Sequence, residues 1–137
     1  MILIVDTNRI IASLIKDSYS RKIILSDKFE LITVNFSKQE ISKYKDHILQ
    51  KAKISEQEFE ILFKVIFSKI KVLNDLLVEE FMEEAKGIMD KIDPNDAPFI
   101  AGALSIENNG VWSDDPDFEK QNKIKPWKTK DLVQFLG

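Results

Sequence analysis

Apolar positions follow two rhythms along the chain. Ile2 to Val5 is an unbroken apolar run, the pattern of a strand covered on both faces as in a parallel sheet. Phe29 to Val34, Val72-Leu73 and Gly110-Val-Trp-Ser113 predict three more strands, and Ile124-Lys-Pro-Trp127 an edge strand, where a proline without an N–H is tolerated. Between them the spacing becomes helical. Ile10, Ile11, Leu14 and Ile15 follow Thr7 and Asn8, which can cap that helix, and Tyr19 to Asp27 carries a shorter helical pattern. Ser37-Lys-Gln-Glu40 and Ser55-Glu-Gln-Glu58 each have the form of a capping box and predict a hairpin of helices running to about Ala52 and Ile70. In the second arm, Phe59, Ile61, Leu62, Phe63, Val65, Ile66 and Phe67 are apolar on more than one face, which suits deep burial and a partner interface equally. Leu77 to Ile92 reads as an amphipathic helix with an acidic solvated face, and Thr129 as the cap of a closing helix packed through Leu132, Val133, Phe135 and Leu136.

This alternation predicts one α/β domain over residues 1–137, a three-layer α/β/α sandwich around a central, mostly parallel sheet with right-handed connections. Within it, Asp93-Pro-Asn-Asp96-Ala-Pro-Phe-Ile-Ala-Gly-Ala-Leu104 is a helix start whose register follows from Pro98, since proline is best tolerated in a first turn. That register puts the N-cap near Asn95 and leaves the Asp96 carboxylate free, with Asp93 either helping to hold a second ion or, the favoured reading, ending the preceding helix. Ala101-Gly102-Ala103 lets the helix lie close to what it covers.

Composition narrows the chemistry. With 44% hydrophobic and 31% charged residues the chain is ordinary globular material, and its length allows a real core without cross-links. The absence of cysteine excludes disulfides, thiolate metal sites and a cysteine nucleophile. The one histidine, His47, lies on a Lys-rich helix and reads as a surface residue rather than part of a triad. A net charge of -3 argues against nucleic-acid binding through a broad basic face, but not against contacts made through bound cations. The apolar start is too short for a signal peptide or membrane span and lacks a basic region, so the expected location is the cytoplasm.

Carboxylates remain. Asp6, Glu40, Asp96 and Asp115 fall at element ends, with Asp93, Asp114 and Asp117 as possible additions. Each has a structural reading: Asp6 could begin a turn, Glu40 could belong to the Ser37 capping box, Asp96 could complement a helix dipole, and Asp115 before Pro116 could cap a short helix. In a parallel α/β sheet, however, strand ends and helix starts share one edge, so Asp6, Asp115 and Asp96 converge by topology. Two carboxylates about 4 Å apart repel by roughly 4 kcal/mol at an effective dielectric near 20, so such a cluster calls for protons, distance or a cation. With neither thiol nor imidazole on offer, the cation expected is Mg²⁺ or Mn²⁺.

Val5-Asp6-Thr7-Asn8, the acid Glu40, Asp96-Ala-Pro-Phe-Ile-Ala-Gly-Ala and Trp112-Ser-Asp-Asp115-Pro-Asp117-Phe118, in this order, resemble the PIN domains, metal-dependent ribonucleases that include the VapC-like toxins of prokaryotic toxin-antitoxin pairs. The resemblance covers essentially the whole chain. It implies that Asp6, Glu40, Asp96 and Asp115 match the family's acidic quartet and Asp117 an extra acid of many members. Asn8 and Ser113 fall where members have a small polar residue that orients ligands or water. It further implies one or two Mg²⁺ or Mn²⁺ ions, hydrolysis of RNA to 5′-phosphate and 3′-hydroxyl ends, a homodimer and, for a toxin, a small antitoxin protein. Single-stranded RNA is the favoured substrate, because splayed bases and a bent backbone enter a narrow acidic cleft. The sequence departs in Ser37, which competes for Glu40, and in Pro98, where toxin-like members often carry a larger side chain. Two rivals stand beside this reading. A phosphatase of the haloacid dehalogenase type needs an aspartate where Asn8 stands, and a non-catalytic PIN-fold module would bind RNA or a protein partner without cleaving it.

Overall fold

The computed structural model describes residues 1–137, in which five strands form one parallel sheet of order β3-β2-β1-β4-β5. β1 (Ile2–Val5) is central, flanked by β2 (Glu30–Thr33) and β4 (Val111–Trp112), with β3 (Ile70–Val72) and β5 (Pro126–Trp127) at the edges. Pro126 does stand on an edge, where its missing N–H breaks no ladder. The register pairs Leu3 with Leu31 and Val5 with Trp112, so β1 and β4 end side by side.

Alternation along β1 divides the core in two. Ile4 faces one layer with Ile32, Val111, Phe99 and Phe118; Leu3 and Val5 face the other with Leu31, Ile10, Leu14 and Trp112. The first layer is covered by α6 (Asp75–Glu79), α7 (Met82–Met89) and α8 (Ala97–Ser105). The second is covered by α1 (Thr7–Ile15), α2 (Tyr19–Leu25), α3 (Asn35–Lys43), α4 (Lys45–Ala52), α5 (Glu56–Phe67) and α9 (Thr129–Val133). Leu3, Ile4 and Val5 are fully enclosed, and at about 1.5–3 kcal/mol for each such side chain β1 anchors both layers. α8 sits close on the sheet because Gly102 has no Cβ: one there would stand 2.8 Å from Val34 Cγ1. Gly110, at φ 135°, makes the turn into β4 in a conformation that side chains disfavour.

Several predicted elements change. The long helix from Ser37 is two, α3 and α4, separated at Tyr44, because α4 turns onto α1 instead of continuing along α3. The Leu77–Ile92 helix likewise breaks before α7, where Phe81 turns toward the core. Asp6, rather than Thr7 or Asn8, caps α1, and Lys128, rather than Thr129, stands at the N-cap of α9. Ser55 and Glu58 form the expected capping box, but Ser37 does not: α3 already begins at Asn35, so Ser37 lies inside it and is fully buried. In α5 most of the apolar surplus is internal. Phe59 and Ile66 are buried, Phe63 stacks between Phe59 and Phe67, and only Ile61 and Val65 are well exposed.

Candidate metal centre

The carboxyl end of β1 is held firmly before it reaches Asp6. The Thr33 hydroxyl donates to the Val5 carbonyl at 2.8 Å, and the Asp6 amide donates to the Trp112 carbonyl at 3.2 Å. Asp6 then starts α1, its Oδ1 accepting from the Arg9 amide at 2.9 Å and its Oδ2 from the Ser113 hydroxyl. Ser113 Oγ in turn accepts from the Asp115 amide at 3.0 Å, so one hydroxyl links the ends of β1 and β4. Asp115 caps the 3₁₀ turn Pro116–Lys120 through the Asp117 amide, which is the structural reading open to it, while Asp117 pairs at its Oδ1 with Lys120 at 3.0 Å.

Asp96 arrives from the opposite layer. The expected cap at Asn95 is displaced: Asp93 caps a 3₁₀ turn, Pro94–Asp96, by accepting from the Asn95 amide, and α8 begins only at Ala97. Pro94 dictates this, since its fixed φ favours a turn start immediately after Asp93. Asp96 is thereby relieved of capping, and its side chain caps nothing. The same turn brings Asp93 in from the preceding helix, so that carboxylate oxygens of Asp93, Asp96 and Asp117 lie within 4.8 Å of one another. Asp93, a possible addition to the acids for which a helix end was the favoured role, is a member of this cluster; the signal for it in the chain is its Asp-x-x-Asp spacing with Asp96 across a proline turn.

The electrostatics follow from burial. Asp6, 4% exposed, has its pKa raised from 3.8 to about 6, chiefly by desolvation and in part by Asp115, against the opposing help of Ser113 and Arg9. Asp96 rises to about 7, again first through desolvation and then through the charges of Asp93, Asp115, Asp6 and Asp117. One oxygen of Asp96, Oδ2, is buried and has no hydrogen-bond partner. A buried oxygen without a donor, whose charge is opposed by four other carboxylates, fits a hard divalent cation.

Glu40 is held from the α3 side, through Thr7. It accepts from the Thr7 hydroxyl at 2.6 Å, and the Thr7 oxygen lies 3.1 Å from that of Ser37, whose hydroxyl can donate to it, so Thr7 takes the place of the expected capping box. Asn8 is exposed and makes no side-chain hydrogen bond. Asp114, considered with the other acids, is consumed elsewhere: it pairs with Arg9 at 2.8 Å and accepts from the amide and hydroxyl of Thr129, at 2.7 Å each. The indole of Trp112 donates to the same hydroxyl, tying β4 to α1 and α9. No helix is long and apolar enough to cross a membrane.

Residues 4–136 match a family model described as PIN domain. No curated protein matches the chain.

Proposed function

The chain belongs to the PIN-domain family, whose members are generally nucleases, and on that premise we propose that it is a Mg²⁺- or Mn²⁺-dependent endoribonuclease hydrolysing phosphodiester bonds in single-stranded RNA. The observation that carries the proposal is the unpartnered, buried Oδ2 of Asp96 among Asp6, Asp93, Asp115 and Asp117. Asp6, Asp96, Asp115 and Asp117 would hold the metal, with Asp93 beside them. An ion held there would supply a water of lowered pKa and a counter-charge for the phosphate.

The chain's own residues account for the rest. Ser113 and the Arg9 amide hold the Asp6 carboxylate in one orientation before any ligand arrives, so little reorganisation remains at the moment of reaction. The Thr7 hydroxyl aims Glu40 from the side of α3, where it can accept a proton from an attacking water. Burial keeps Asp6 and Asp96 short of full charge until a cation compensates them, which makes the cluster selective for a filled state.

The test is cleavage of an end-labelled, mixed-sequence single-stranded RNA with Mn²⁺, Mg²⁺ or EDTA, beside Asp96→Asn. Metal-dependent cutting absent from the variant supports the enzyme. No cutting and no metal-induced rise in melting temperature would move the reading to a non-catalytic module, for which exposed Ile61 and Val65 on α5 offer an apolar contact. A toxin role further requires that a small co-expressed protein suppress the cutting.

A further inference from the structure

Three clefts run along α3 and share walls. The first, about 280 Å³, is lined by Asn35, Phe36, Gln39, Asp75 and Glu79 among others. The second, about 350 Å³, shares Phe36 and Gln39 with it and adds Glu40, Lys43, Tyr44 and Asn95. The third, about 360 Å³, shares Glu40 and Tyr44 and continues past Thr7 and Asn8 to His47 and Lys51. Glu40 lines the second and third clefts, Asn95 adjoins Asp96 in the chain and Thr7 adjoins Asp6, so the groove is walled by Glu40 and by the chain neighbours of two further acids. Its ends differ in charge: Asp75 and Glu79 line the α6 end, Lys43 and Lys51 the α4 end.

Tyr44 stands at the α3–α4 break as a wall of both clefts at the basic end. It is 45% exposed, belongs to neither apolar core, and its hydroxyl makes no hydrogen bond, so neither packing nor hydrogen bonding accounts for the ring. The Lys43 ammonium lies 5.6 Å from the ring centroid. An exposed ring between lysines, in a groove leading to carboxylates, has the makings of a single-strand binding track. Aromatic faces stack bases with little regard to sequence, and lysines follow the backbone.

We infer that Tyr44 is a nucleobase-stacking residue and that Lys43 and Lys51 contact the flanking phosphates, so that a single RNA strand lies along the α4 end of the groove. This rests on the ribonuclease reading. A paired base cannot present its face to Tyr44 without leaving its helix, so the arrangement selects single strands over duplex. The acidic α6 end repels the backbone, which leaves the strand one favourable direction from the acids.

The experiment is fluorescence anisotropy of a fluorescein-labelled single-stranded RNA of about ten nucleotides, titrated with the full chain in Ca²⁺ at several salt concentrations. Tyr44→Leu, which keeps bulk at the helix junction, and Tyr44→Ala are expected to weaken binding roughly 5- to 150-fold without changing the salt dependence, and Tyr44→Trp to retain it. Lys51→Gln is expected to lower the slope of log affinity against log salt by roughly 0.7. Thermal unfolding of each variant checks that the junction is intact. If the chain binds and cleaves RNA but Tyr44→Leu binds equally well, or if duplex competes as well as single strand, the stacking assignment is overturned while the ribonuclease stands. If the unsubstituted chain neither binds nor cleaves, both readings fall.

Discussion

Asp114 and Asp96 lie at the same end of the sheet, one in the turn after β4 and one at the start of α8, and their surroundings differ in every respect that bears on charge. Asp114 has an arginine, an amide and a hydroxyl within 2.8 Å. Asp96 has a buried oxygen with no donor and four carboxylates contributing to its raised pKa. A carboxylate whose acceptor capacity is filled holds the fold together; one that is desolvated and unanswered costs stability, and that cost is a mark of a ligand site. Sequence proximity says nothing of this, since Asp114 sits beside Asp115 and the two part company at once.

The contrast is open to experiment. The largest effect belongs to Asp96→Asn, expected to lower phosphodiester hydrolysis roughly 10²- to 10³-fold while raising the melting temperature of the metal-free protein at pH 8, because a repelled charge is removed. A variant that loses activity and stability together would place Asp96 with Asp114 instead.

The pH dependence of metal-free stability comes next. Below 3.8, the ordinary value, Asp6 and Asp96 are protonated whether the chain is folded or not. Between there and about 6 for Asp6 or about 7 for Asp96, the folded chain holds protons that the unfolded chain has released, so stability falls as pH rises. For Asp6 the full loss is on the order of 3 kcal/mol; partly buried Asp96 adds a share reduced by solvent screening. Urea unfolding across that range is expected to show the fall, and Mg²⁺ to diminish it above pH 7.

Asp114→Ala goes the other way. Leaving Arg9 and Thr129 without their acceptor is expected to cost about 2 kcal/mol in urea unfolding, while the rise in melting temperature with Mg²⁺ persists. The smallest effect is that of Ser113→Ala, which frees one oxygen of Asp6 and is expected to weaken metal affinity about tenfold, read by calorimetry, with the fold retained.

Much of the architecture is legible in the chain because it rests on local rules. Apolar runs at Ile2 to Val5 and around Val111 mark strands buried on both faces, Pro126 marks an edge, and Gly102 marks the close approach of a helix. The convergence of Asp6, Asp96 and Asp115 also follows from the chain, since a parallel sheet brings strand ends and helix starts to one edge whatever the side chains do. Tertiary structure decided the rest. The break at Tyr44 depends on α4 finding α1, and nothing in Ser42-Lys43-Tyr44-Lys45 dictates it. Glu40 answers to Thr7 across 33 positions of sequence and not to Ser37 three positions away, because burial of Ser37 removes it from the cap. Whether an aspartate is filled, as Asp114 is, or left wanting, as Asp96 is, depends on which donors distant segments bring within about 3 Å, and that distance is set only when the layers pack.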